Sequence, residues 1–293
     1  MSIYGCFVHG VHKGQSRFRL AVYLWLIFFV ISLVAVMPLI SIVGKSLGHF
    51  IPGQPIAMPF ELNVAEIFLN HQEILAPYLS LLLTMGVILA IFFTFLNAGL
   101  FGRTLSEERI NLKSFLLDGT HFFWRFFLSG LAFLPFLIVL LVIYRALVSP
   151  LNIWSEKAVT EWPVIISSNL RLVVFLLLWT IFRMSLDLVR IIMVKEESGL
   201  ISAVRAASGF LKKHFWKFWG LFLLLGAVYL LGSLVFFLTG KLFSNQNWGG
   251  VIMLILLSQA YILFRLLTRI IFISAEGCYY LTSKQVEQFN EVK

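Results

Sequence analysis

Long uncharged runs separated by short charged links dominate the pattern of this chain. They extend from Leu20 to Gly44, Ile74 to Gly102, Phe126 to Tyr144, Phe218 to Gly240 and Leu242 to Phe264. Each run is continuously apolar. It therefore predicts a membrane-spanning helix of roughly 20 residues and not an alternating barrel strand of about ten. A sixth helix is required between Trp162 and Val194, where the strictly uncharged stretch from Leu172 to Phe182 is only 11 residues long. That helix has to carry charge into the bilayer. The expected fold is all-α: one polytopic membrane helix bundle over residues 1–293, with spans at about 20–44, 74–102, 126–144, 163–190, 218–240 and 244–266.

Two of the links have helical periodicity of their own. Over about 111–121, Leu112, Phe115 and Leu116 share a face that continues to Phe122 and Phe123, with Asn111 as the expected N-cap. Over about 198–213, Leu200, Ile201, Val204, Ala207 and Leu211 form the stripe, with Ser198 as the expected cap and Arg205, Lys212 and Lys213 adding positive charge. Both segments read as elbow helices in the headgroup layer, which either re-aim the chain or offer a docking face to a protein partner. They also mark an internal repeat. Arg103 to Glu108, the elbow, then His121-Phe-Phe-Trp-Arg-Phe126 matches Arg190 to Glu197, the second elbow, then Lys212 to Phe218. A third, split copy joins Arg269 to Glu276 with Ser16-Arg17-Phe18-Arg19, giving three helix-elbow-helix units.

Composition strengthens the membrane reading. Of the 293 residues, 60% are hydrophobic and 13% charged, against about 45–50% and about 25% in soluble domains. The charge distribution then orients the chain. Of the 23 Lys and Arg, 18 fall in residues 1–19, 103–125, 183–217 and 265–293, and 5 fall in residues 45–73, 145–171 and at Lys241. The positive-inside rule puts both termini in the cytoplasm. The net charge of +9 thus reads as orientation and attraction to anionic inner-leaflet phospholipid, and no nucleic-acid partner is expected. Trp124, Trp216 and Trp219 are expected at the inner interface and Trp154, Trp162 and Trp248 at the outer one. Residues 1–19 read as the charged flank of an uncleaved signal anchor. Cys6 and Cys278 both fall on the reducing side, so no structural disulfide is expected. Cys6, His9 and His12 offer three ligand-type side chains, too few to predict a metal site.

The candidate chemistry sits in the fourth span. Arg183, Asp187 and Arg190 are spaced i, i+4, i+7 and share one helix face. With Arg171 at the outer boundary, Arg183 lies about 18 Å deep and Asp187 about 24 Å. With Pro163 there instead, Arg171 itself lies about 12 Å deep. Charges at such depth face a bundle interior or a wet cavity. Arg265 and Arg269 of the sixth span reach a similar level. Four Arg against one Asp suit an anionic lipid headgroup or phosphate held by planar donor forks. The competing reading has every Arg snorkel to the inner headgroups and pair with Glu107, Glu108, Glu196 or Glu197. No HExxH occurs, no catalytic residue, metal ligand or cofactor is assigned, and the chain leans away from being an enzyme. Asp118-Gly119 is similar to the coupling loop of ABC permeases, but Lys113 stands where that motif has an acid and Pro135 falls three residues late.

Phe95-Leu-Asn-Ala-Gly-Leu-Phe-Gly102, Phe122-Phe-Trp-Arg-Phe126, Asp187-Leu-Val-Arg190 and Phe215-Trp-Lys217 together resemble a broad group of uncharacterised bacterial six-helix membrane proteins. These are similar in layout to the membrane domain attached to some glycerophosphoryl diester phosphodiesterases. The resemblance implies a helix bundle in a bacterial inner membrane. It carries over no catalytic residue, because the phosphodiesterase chemistry belongs to a soluble domain. The functional expectation is a non-enzymatic, lipid-interacting scaffold or accessory subunit, with a transporter or permease component as the alternative.

Overall fold

The computed structural model describes residues 3–47, 72–108, 111–158, 160–243 and 248–291. Eight helices account for nearly all of them, with no strand among the described residues: α1 (Ile3–Ser16), α2 (Phe18–Leu47), α3 (Gln72–Leu105), α4 (Leu112–Ala132), α5 (Leu134–Glu156), α6 (Glu161–Lys195), α7 (Leu200–Gly240) and α8 (Trp248–Glu291). Five helical segments are long and apolar enough to cross a membrane, and a sixth follows when α1 and α2, broken at Arg17, are taken as one span. The link between the first and second predicted spans lies mostly outside the described residues.

The chain forms two compact units, residues 23–94 and the remainder. In the first, Phe28 meets Phe93 edge to face at 5.5 Å between ring centroids, joining α2 to α3. The second unit holds the charged residues of interest, and its burial is uneven along the helices. Leu96 to Leu105 of α3, Met184 to Met193 of α6 and Ile270 to Tyr280 of α8 contribute most of the buried side chains, together with one face of α1, α4 and α7. The opposite ends of α5 to α8 expose Ile138, Val142, Leu172, Leu231 and Leu256, as lipid-facing surface must. The packed core therefore gathers at the charge-rich end.

Small residues let helices approach there. A Cβ on Gly10 of α1 would lie 2.8 Å from the Ala275 Cβ of α8, and one on Gly99 of α3 would lie 2.7 Å from the Phe115 carbonyl oxygen of α4. Close backbone contact of this kind is how membrane helices gain dispersion energy when apolar surface alone gives no preference for protein over lipid.

The elbows differ from expectation. Asn111 does cap α4, its side chain accepting from the Lys113 N–H at 3.2 Å. The helix then runs past residue 121 to Ala132, and Pro135, lacking an N–H, forces the break at Phe133 further along. The second elbow does not end at all. Residues 200–213 and the span from 218 form one 41-residue helix, because nothing from His214 to Phe218 breaks helical hydrogen bonding. Gly199, not Ser198, occupies its N-cap. The preceding helix ends at Lys195 with Glu196 as its cap, and Glu197 just past it has a φ of 48°, the left-handed turn usually given to glycine.

The end of α3 is finished by other helices. Arg17 donates to the carbonyls of Arg103 and Ser106, and Lys195 donates to that of Leu105 at 2.8 Å. Three carbonyls at or just past the helix end are thereby satisfied by cations, which the helix dipole also favours at that position.

Candidate functional site

Asp187 is completely buried, and Arg269 grips it from α8 with Nη1 at 2.5 Å from Oδ2 and Nη2 at 2.7 Å from Oδ1. This is the two-pronged geometry that makes Arg–carboxylate pairs strong. Arg183 stands one turn away on α6, its Nε 4.0 Å from Oδ2, with 37% of its side chain exposed. Arg190 turns inward: its guanidinium lies over the Phe126 ring at 5.2 Å and its Nε approaches the Ser129 hydroxyl at 3.4 Å. The Arg269 guanidinium likewise lies over Phe101 at 5.2 Å. Arg190 and Arg269 thus each have an aromatic face beneath the guanidinium, a favourable place for a desolvated cation.

The structure brings Arg183, Asp187, Arg190 and Arg269 together and leaves Arg265 on the exposed surface, within electrostatic range of Arg183. It also adds a member that the spacing argument missed. Glu276 is fully buried, neither of its carboxylate oxygens has a hydrogen-bond partner, and its charged neighbours are Asp187, Arg269 and Arg183. The interior therefore contains two acids, of which only Asp187 is paired with an arginine. A signal for Glu276 existed, since Arg269 and Glu276 are seven residues apart and share a helix face.

That face of α8 is polar over much of its length. Tyr261, Arg265, Arg269, Glu276, Tyr280 and Lys284 recur at spacings of four and seven. At one end Tyr261 shares hydrogen bonds with Tyr229 and Ser233 of α7 at 3.2 and 3.3 Å. At the other, the Tyr280 hydroxyl and Lys284 ammonium donate to the same oxygen of Glu196 at 2.5 and 2.6 Å. Burial raises the cost of ionising Glu196, but the bonds from Lys284 and Tyr280 outweigh it and hold the carboxyl below the usual glutamate range. A cleft of about 270 Å³ opens beside this cluster, lined also by Phe210 and Lys213.

The remaining sequence candidates separate. Arg103 pairs with Asp118 of the first elbow at 2.5 Å and with Glu108 at 3.0 Å, and Gly119 packs against Phe95, so Asp118-Gly119 is an internal contact. Arg171 donates to the hydroxyl oxygens of Ser155 and Ser167 at 2.9 and 3.0 Å. Among the expected interfacial tryptophans, Trp124, Trp216, Trp154, Trp162 and Trp248 are exposed, while Trp219 is half-buried and donates to Thr180. Cys6 faces the core while His9 and His12 are exposed, and no group of three ligand-type side chains converges among the described residues. No family model, no curated protein and no solved structure matches this chain.

Proposed function

We propose that the protein is a non-enzymatic scaffold or accessory subunit of a bacterial inner membrane, with both termini cytoplasmic, that holds an anionic phospholipid headgroup at Arg183 and Arg265. The observation that carries this reading is the division of labour around Asp187. Both carboxylate oxygens are already engaged by Arg269, so Arg183, at 4.0 Å and partly exposed, keeps most of its donors for another anion. Arg265 lies in range on the neighbouring helix. Arg190 and Arg269 are the fixed inner part of the cluster, and the two outward guanidiniums are the binding part. The planar forks suit phosphate oxygens, and the exposed apolar residues that surround them along α6 and α8 suit acyl chains.

Native mass spectrometry from mild detergent tests this. Wild type is expected to retain an anionic phospholipid that Arg183→Ala and Arg265→Ala lose while remaining folded. Arg190→Ala serves as the comparator, expected to lower stability without a selective loss of lipid. Retention unaffected by either outward substitution refutes the proposal.

One observation favours the transporter alternative: the unpartnered carboxylate of Glu276 on the polar face of α8. Buried acids inside membrane bundles commonly serve ion or proton paths. That reading requires water to reach Asp187 or Glu276 in some state, which cysteine substitution at 187 and 276 with a membrane-impermeant thiol reagent detects.

A further inference from the structure

The antiparallel contact of α1 with α8 has a fixed register. Gly14 faces Ile271, and Gly10, one turn nearer the N-terminus, faces Ile271 and Ala275. One more turn brings Cys6 opposite Cys278, with their sulfurs 3.2 Å apart and the Cys278 thiol donating. Neither forms a disulfide. The adjoining glycine contacts leave no room for the helices to approach closer or slide, so the sulfurs are held as neighbours although they are 272 residues apart in sequence. Their accessibility is unequal. Cys6 is 0% exposed, whereas Cys278 is partly exposed.

We propose that Cys6 and Cys278 are a thiol-modification site, at which a peroxide-class oxidant attacks Cys278 first and Cys6 then closes an intramolecular disulfide between α1 and α8. In the first step the Cys278 thiolate sulfur bonds to one peroxide oxygen, the O–O bond breaks, and the departing hydroxide takes up a proton as water. This leaves a sulfenic acid on Cys278. In the second step the Cys6 sulfur displaces that hydroxyl, which leaves as water with the Cys6 proton, and the S–S bond forms. Two thiols and one peroxide give one disulfide and two waters: both sulfurs are oxidised and the peroxide oxygens reduced. On the reducing side of a membrane such a bridge is a transient, regulatory kind, and exchange with a dithiol reverses it. The tie lies two residues from Glu276 and nine from Arg269, so it fastens the part of α8 that carries the buried charges to α1.

The test uses the full chain in detergent micelles, treated with hydrogen peroxide, denatured, and labelled with a thiol-reactive mass tag. Wild type is expected to lose both reactive thiols together, as a monomer, at a rate independent of protein concentration, and to regain both with dithiothreitol. Cys6→Ser is expected to stop at a sulfenic acid on Cys278 that a dimedone probe captures. Cys278→Ser is expected to keep the Cys6 thiol reactive to the tag after the same treatment. Wild-type protein that keeps both thiols, forms only intermolecular dimers, or oxidises Cys6 as fast in Cys278→Ser as in wild type overturns the proposal. The two serine variants change a single atom each, and an unaltered melting profile before oxidation confirms that they fold.

Discussion

Asp187→Asn destabilises the protein more than Arg269→Met does, although the two substitutions break the same ion pair. The Arg269 nitrogens sit 2.5 and 2.7 Å from the two carboxylate oxygens, which places the charge centres about 4 Å apart, an attraction of about 4 kcal/mol at an effective dielectric near 20. Removing one partner of a buried pair costs about 3–5 kcal/mol, because the other charge is left desolvated and alone. The two partners are not equally replaceable. Without Arg269, Asp187 still has Arg183 at 4.0 Å on its own helix, able to close the gap, so the loss falls to about 2 kcal/mol on the same scale. Without Asp187, Arg269, Arg190 and Arg183 confront one another with no paired carboxylate among them, and the full cost of about 4–5 kcal/mol applies. Equilibrium unfolding in mixed micelles, followed by the fluorescence of the chain's 8 tryptophans, measures both. Equal losses, or the reverse order, would refute the account of Arg183 as a reserve partner. A double replacement by Leu at 187 and Met at 269 is expected to be less harmful than Asp187→Asn, since it removes one charge of each sign.

Four further outcomes are expected. Gly10→Val drives side-chain atoms into Ala275 and the Ile271 carbonyl and costs about 1–3 kcal/mol, whereas Gly220→Ala, with open space at its Cβ, gains up to about 1 kcal/mol of helix propensity; thermal unfolding separates the two. Glu197→Gly relieves the left-handed backbone at φ 48° and stabilises by about 1 kcal/mol, read from the same melts. Arg17→Gln with Lys195→Gln uncaps the end of α3 and speeds amide hydrogen exchange around residues 103–108, while exchange in the middle of α7 is unchanged. Because the Glu196 carboxyl titrates below its ordinary value, its ion pair with Lys284 is fully present above the usual glutamate range and is lost as pH falls through the lowered value. Glu196→Gln therefore lowers stability at neutral pH by about 0.2–1 kcal/mol, in keeping with a partly exposed pair, and that difference from wild type disappears in acid.

The helical content and most span positions were legible because continuous apolar runs have one structural solution in lipid. The shared face of Arg183, Asp187 and Arg190 was legible because helical spacing fixes it. What decided the chemistry of that face was not local. Arg269 reaches Asp187 across 82 residues, and no periodicity distinguishes it from Arg265, which stays outside. Glu276 was hidden as one acid near the end of a span. Arg17 and Lys195 counted as orientation charge, yet their ends are hydrogen-bonded to specific carbonyls, a role that depends on where three helices finish. The elbows were misjudged for a different reason: amphipathic periodicity identifies a face, but only a breaker such as Pro135 ends a helix.

The antiparallel seat of α1 on α8 imposes an order on biogenesis. The ribosome makes α1 long before α8, so the face bearing Cys6, Gly10 and Gly14 waits without its mate while every intervening helix is inserted. A chain halted before residue 270 lacks Ile271, Ala275 and Cys278, the residues that meet that face. For this protein the α1 contact closes only after α8 has been made.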